Sequence, residues 1–475
     1  MSITSFTYLG FLAIVFVIYY TIKPKWQKHY LLLCSLVFYC LAGTPATIVL
    51  LLLATLVTWY AARTIHAQPD QKKAKRILVP AVLMNFALLV LPRSTSLGSS
   101  YYTLQLTGYL LDCYWRVGMV QENFLDFTLF ASYFPQLTSG PISRYKQVQE
   151  SLYAEHTFCY ERVTHGLKRM AWGMFKKLVI ADRLAILVNS VYENYAEYHL
   201  ILIWMGIFCF SLQLYTDFSG CMDIVLGTSE CLGIVLPENF RNPFFSTTIQ
   251  EFWQRWHITL GTWLKDYVMD PVLKSEIWIR MGSFTRRKFG KKWGKRIPTY
   301  LGMLILWLAM GLWHGSGLKY IIGEGLWFWV VIITGNMCGK SLQKLNQRLG
   351  VKKDSLVWIT FQRLRTFVIF SLGLICFRAE NLREVFAVLQ AGVTHISQRG
   401  FSHIKGEMGC CNLGMLCIAF VVFVAVEILQ NRGVDVFTWI TGKKSVVSWA
   451  AYLFICVMIL LSLGTAGQSF IYAGF

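Results

Sequence analysis

Apolar runs separated by short basic segments dominate the chain, at 7–22, 30–41, 48–60, 77–91, 200–212, 413–429 and 446–463. A helix needs roughly 20 apolar residues to cross the ~30 Å hydrocarbon core of a bilayer. Several runs are shorter, which points to tilted, broken or re-entrant segments beside true spans. The pattern predicts an all-α polytopic membrane protein with roughly ten to twelve membrane segments plus re-entrant and interfacial helices. No internal repeat or low-complexity linker interrupts it. One integral-membrane domain over 1–475 is expected, with its motif-bearing core at about 97–335 and C-terminal membrane helices at about 360–475.

The first four runs read as outer scaffold, after which polarity rises within membrane-like sequence. The stretch 101–115 carries Thr103, Gln105, Thr107 and Asp112. The stretch 134–145 packs Pro135, Gly140 and Pro141 between apolar residues, and 215–223 brings two acids and a glycine after an apolar helix. Backbone freed by such breakers must be buried in protein or line a cavity. In 252–267, Trp253, Trp256, Leu260, Trp263 and Tyr267 recur at spacings of three and four, one apolar stripe on an expected interfacial helix with His257 beside it.

The run 300–313 carries no charge and ends at His314. Its residues reach only about 21 Å as helix, short of the ~30 Å core. It pairs with 318–334 as a down-and-back hairpin, so His314 is expected at mid-depth. An ionisable group there is expensive and usually functional. The bland alternative is a histidine hydrogen-bonded between helices.

Composition sharpens this reading. Only 15% of residues are charged, against about 25% in a soluble domain, and mean hydropathy is +0.48. The net charge of +20 would suggest nucleic acid in a soluble protein. Here the basic residues sit in short loops, around Lys23–Lys25–Lys28, 63–76, 274–296 and 340–365, so the positive-inside rule is the simpler account and no nucleic-acid partner is expected. Those loops are assigned to the cytoplasm, with the N-terminus outside and anionic lipid headgroups as neighbours. The first run lacks a basic leader and a small-residue cleavage site, and reads as a retained anchor. The thirteen cysteines include no CxxC pair, so no disulfide framework and no metal site is expected, and the adjacent Cys410 and Cys411 receive no role.

The pieces FPQLTSGPISRY (134–145), GMFKKLVIADRLA (173–185), YTDFSGCMDI (215–224), LPENFRNPFFS (236–246), EFWQRWHITLGTWLKDY (251–267) and MGLWHGSG (310–317) stand in this order. Together they resemble the bacterial membrane-bound O-acyltransferases, in the branch that holds the membrane subunits of alginate O-acetylation and teichoic acid D-alanylation. ICFRAENL (375–382) is similar to the acetylation side. The resemblance implies that His314 is catalytic and His257 the second site histidine. It also implies a partner of the Ser-Gly-Asn-His hydrolase type outside the cytoplasm, and residence in a bacterial plasma membrane. After Tyr267 the chain reads MDPVLKSEIW where alginate-type members have a Pro-Leu-Gly-Gly turn, which leaves the polysaccharide acceptor open.

Acyl transfer from a thioester to an alcohol needs a base for the hydroxyl proton, and histidine suits it near neutral pH, its unperturbed pKa being ~6.5. Gly311, Gly315 and Gly317 permit close approach. Supporting candidates are Trp313, Trp256, Arg144, Gln213 and Tyr215. Asp217 is one more, able to orient a histidine or to pair with a basic side chain. Without a glycine loop of the Walker or Rossmann type the chain is not expected to hydrolyse ATP, and no bound cofactor is expected. The donor is then a preactivated thioester, acetyl-coenzyme A or an acyl carrier protein, docked on the basic face 274–296. No GxSxG appears. The expected activity is O-acylation, acetylation foremost, of an exported polysaccharide. Two alternatives are D-alanyl transfer to teichoic acid and a proton-coupled transporter or flippase.

Overall fold

The computed structural model describes residues 2–90, 97–396, 399–443, 445–463 and 471. Among them the regular structure is helical, without a β-strand. Among the described residues six helices are long and apolar enough to cross a membrane, and Phe6–Thr21 and Ser445–Leu460 are shorter apolar helices. The all-α membrane architecture is as the hydrophobic pattern predicts. The 77–91 run lies in the helix Gln71–Ala87 and the turn after it, its last residue falling outside the described positions. The chain forms two compact units, Met1–Val179 with Thr216–Asn239 and Asp435–Phe475, and Ile180–Tyr215 with Phe240–Val434.

In the first unit the polar helix Ser99–Tyr114 buries Thr103, Gln105, Thr107 and Asp112. The breaker-rich stretch is unwound after Phe134–Leu137, and residues 139–143 are buried. There the Ser143 hydroxyl donates to Gln136 Oε1 at 2.9 Å. The stretch at 215–223 does not break. It lies inside one continuous helix, Leu200–Cys231. Glycine is tolerated in membrane helices, and Gly220 serves packing instead. A Cβ on Gly173 would meet the Gly220 carbonyl oxygen at 2.5 Å, and one on Gly166 would meet the Gly227 carbonyl at 2.6 Å. Two glycine rungs thus bring the Tyr160–Met174 helix backbone to backbone with 216–231, the small-residue packing that substitutes for a hydrophobic driving force in lipid.

That close crossing puts Lys176 and Lys177, at the start of the π-helical turn Phe175–Ala181, against the acids of 216–223. Lys177 Nζ lies 2.6 Å from Asp217 Oδ1, and Lys176 Nζ lies 2.6 Å from Asp223 Oδ2, while Asp223 Oδ1 accepts from Arg169 Nε at 3.0 Å. Asp217 Oδ2 accepts the Ile471 amide at 2.9 Å. Asp217 is therefore the partner of a lysine.

In the second unit the expected hairpin is present, but its arms are longer than the uncharged run suggests. The helix Glu276–His314 kinks at Gly290 (φ +82°) and then runs unbroken over 291–314, about 36 Å at 1.5 Å per residue. The returning arm Leu318–Arg348 is about 46 Å long. Each arm can cross a bilayer, so helix length does not hold His314 at mid-depth. The run looked short because it stops at the first charge, whereas the helix continues through Lys291, Lys292, Lys295 and Arg296.

Gly173→Val should lower the melting temperature of the detergent-purified protein, since over-packing costs about 1–3 kcal/mol. Gly10→Ala, with nothing within 4 Å of the new methyl, should leave it unchanged. Asp217→Ala strands the buried Lys177 ammonium and should cost about 3–5 kcal/mol, most of which Lys177→Met with Asp217→Leu should restore. A double variant as damaged as Asp217→Ala would contradict the structural role of the pair.

Candidate active site

The expected interfacial helix over 252–267 is two short helices, Ile249–Arg255 and Ile258–Leu264, followed by a π-helical turn Lys265–Met269. The break falls on His257, which adopts a left-handed conformation (φ +44°, ψ +51°) rare for a residue with a Cβ. Reversing the backbone there drives Trp256 and His257 inward together, each only 2% exposed. The apolar stripe packs on protein rather than on a bilayer surface. Trp253 meets Trp307 and Phe328 edge-on at 5.0 and 4.8 Å. Trp256 stacks on Phe252 at 5.5 Å and contacts Phe370 at 4.9 Å.

His314 ends its helix because the chain turns at Gly315. The glycines leave room for the protein's own Tyr320. A Cβ on Gly315 would meet the Tyr320 ring at 2.6 Å, and one on Gly311 its carbonyl oxygen at 2.8 Å. Tyr320 sits edge-on to Phe377, and Phe377 edge-on to His314 at 5.6 Å. On the other side Trp313 lies 5.1 Å from His314 and 5.6 Å from His257. Both histidines therefore contact one tryptophan ring in one unit, and His314 is 3% exposed. An imidazole in such a cage can accept a hydroxyl proton with little competition from water.

The second unit gathers His257, Trp256, Trp313, His314, Gly315, Gln213 and Tyr215, whereas Arg144 and Asp217 belong to the first. Tyr215 has an architectural task. Its hydroxyl donates to Glu427 at 3.0 and 3.1 Å, and its ring joins Phe244, Trp256 and Phe423. Among the described residues no group of histidines, cysteines and acids could hold a metal ion. The buried acids Glu427 and Glu324 escaped the sequence reading. Glu427 anchors Tyr215 and accepts from Asn242 at 2.9 Å. Glu324, 2% exposed, lies in the π-helical turn Ile321–Leu326, and its Oε1 has no hydrogen-bond partner among the described residues. The signal for both was an acid inside an apolar run, the default mark of function in a membrane helix.

A family model for membrane-bound O-acyltransferases matches residues 117–285, which include His257 and stop short of His314. A probable alginate O-acetylase of Pseudomonas aeruginosa is 31% identical over 333 residues, covering 68% of this chain and 57% of that protein. A peptidoglycan O-acetyltransferase of Helicobacter pylori is 27% identical over 86% of this chain and 81% of its own length. A teichoic acid D-alanyltransferase of Bacillus subtilis is 27% identical over 59% of this chain and 67% of its own. With this family match, a relative 31% identical over 68% of the chain and six membrane-length helices among the described residues, the chain belongs to the membrane-bound O-acyltransferase family and is a membrane acyltransferase.

Proposed function

We propose that the protein takes an acyl group, acetyl foremost, from a cytoplasmic thioester and delivers it across a bacterial plasma membrane for O-acylation of an exported polysaccharide. The observation that carries this reading is the contact of His257 and His314 with the single ring of Trp313. In the transfer, His314 takes the proton of the attacking hydroxyl, its oxygen bonds to the thioester carbon, and the carbon–sulfur bond breaks. The departing thiolate then receives the proton. His257 steadies the oxyanion or the substrate. General-base help supplies roughly 10²–10⁴-fold, and positioning and charge stabilisation supply the rest.

The donor is acetyl-coenzyme A or an acyl carrier protein, and the basic residues at the far end of the His314 helix suit its phosphates. Its relatives' names favour this class of reaction: an alginate O-acetylase, a peptidoglycan O-acetyltransferase and a teichoic acid D-alanyltransferase. A hydrolase-type acyltransferase outside the cytoplasm is the expected partner where the acceptor is a large polymer. Lys and Arg near membrane ends resist translocation, which places 63–76, 274–296 and 340–365 inside. The His314 end of the hairpin then faces the other leaflet.

His314→Ala should abolish both acetyl-coenzyme A hydrolysis by the purified protein and polymer acylation in cells, with the amount of membrane-inserted protein unchanged. Wild-type acylation in that variant would remove His314 from the mechanism. His257→Ala should cause a large but incomplete loss, and activity within about twofold of wild type would make His257 a packing residue. The general-base share sets the scale of both effects, roughly 10²–10⁴-fold.

A further inference from the structure

The motif ICFRAENL does more than end a membrane helix. Arg378 closes the helix Leu356–Arg378, and the chain then turns into Leu382–Thr394. Around that turn lies a surface pocket of about 520 Å³, lined by Tyr192, Glu193, Tyr195, Arg378, Glu380, Arg383 and Glu384 among others. That volume falls within the ~300–1,000 Å³ of small-ligand sites. The pocket shares backbone with the candidate active site. Phe377, whose ring touches His314, directly precedes Arg378, and Lys319 Nζ binds the carbonyls of Phe377 and Ala379.

The pocket is built rather than incidental. Arg378 donates to Asn189 at 2.9 Å and lies over the Tyr192 ring at 5.2 Å, which fixes one guanidinium and one aromatic face. Asn381 caps the following helix by accepting from the Glu384 amide, so the acidic side of the pocket is anchored too. Tyr192 is 4% exposed, and its hydroxyl has no hydrogen-bond partner among the described residues. A buried polar group of that kind costs free energy unless a ligand or water completes it.

We infer that this pocket binds a glycan unit on the acceptor side of the transfer, and that the unit is an uncharged sugar rather than a uronate or a phosphodiester. Carboxylates and guanidiniums in alternation bind vicinal hydroxyls, the first accepting and the second donating. The half-buried Tyr195 ring can take the apolar face of a sugar ring, whereas Arg378 covers the Tyr192 ring and leaves Tyr192 only its hydroxyl to offer. Charge decides between sugar classes. The lining holds three carboxylates and two guanidiniums, with the Lys319 ammonium behind it on the Phe377 and Ala379 carbonyls. An anionic sugar would meet a lining with one more carboxylate than guanidinium, whereas an uncharged sugar meets no such opposition. The acceptor role rests on the acyltransfer reading, whereas the sugar site rests on the pocket alone.

The test is calorimetric titration of the detergent-purified full chain with cellohexaose, chitohexaose and a mannuronate hexamer. At least one neutral hexamer should bind roughly tenfold or more tighter than the uronate, the scale of one surface charge contact. Tyr192→Phe and Tyr195→Ala should weaken that binding, while Lys405→Ala, outside the pocket, should not. Glu193→Lys with Glu384→Gln should reverse the preference and admit the uronate, a gain that misfolding cannot imitate. Tighter uronate binding to the unaltered protein, no binding of any hexamer, or binding indifferent to the tyrosine variants would each overturn the inference. Acetyl-coenzyme A hydrolysis on the same preparation separates the two claims. Its absence beside intact sugar binding sinks the acyltransfer reading and leaves the pocket, and the converse sinks the pocket alone.

Discussion

The left-handed turn at His257 is the constraint on which the candidate site depends. A side-chain-bearing residue in that region costs about 1–3 kcal/mol and persists only where its surroundings over-determine it. Here they do. Trp256, immediately before the turn, contacts Phe252, Phe370, Phe240 and Tyr215 at ring separations of 5.5, 4.9, 5.1 and 5.9 Å. Aromatic pairs contribute about 0.5–1.5 kcal/mol each beyond the area they bury, so several outweigh one strained residue. Asn242, also left-handed at φ +45°, is fixed by Glu427, and the Arg241 amide binds the Arg255 carbonyl at 3.0 Å. The 240–257 segment is thereby pinned at both ends, and His257 has little freedom to leave Trp313.

The two units treat buried polarity differently. In the first, the lysines of 176–177 and the acids of 217 and 223 are matched at 2.6 Å, and the glycine rungs that allow this are as necessary as the charges. In the second, the polar groups near the break are set among aromatic rings. Glu427 is consumed by Tyr215 and Asn242, which makes it a structural carboxylate. Glu324 has no such anchor within the described residues and sits in a π-helical turn, a feature often found at functional sites.

Much of this was legible in the chain. The ordered motifs gave the family, and they singled out two histidines that the fold buries beside one tryptophan, because residue types that hydropathy disfavours stand out against an apolar background. What stayed hidden has physical causes. A single left-handed residue leaves no trace in a 3.6-residue period, so 252–267 read as one helix. Gly220 looked like a breaker because composition cannot say whether a glycine ends a helix or admits a neighbour. The hairpin arms looked short because hydropathy fades towards Arg296 on one side and Lys340 on the other, while long basic side chains let a helix continue to the headgroups. The sugar pocket joins residues around 192 and 380, a separation that no local pattern reports.

The central claim is that His257 and His314 form one acyl-transfer centre. A structure of the full chain bound to a non-hydrolysable thioether analogue of acetyl-coenzyme A tests it most directly. The account predicts the analogue's carbonyl carbon within reach of the His314 imidazole, with the hydroxyl oxygen of a bound acceptor about 3–3.5 Å from that carbon, and His257 on the same side of Trp313. An analogue seated elsewhere, with neither histidine at its acyl group, would contradict it.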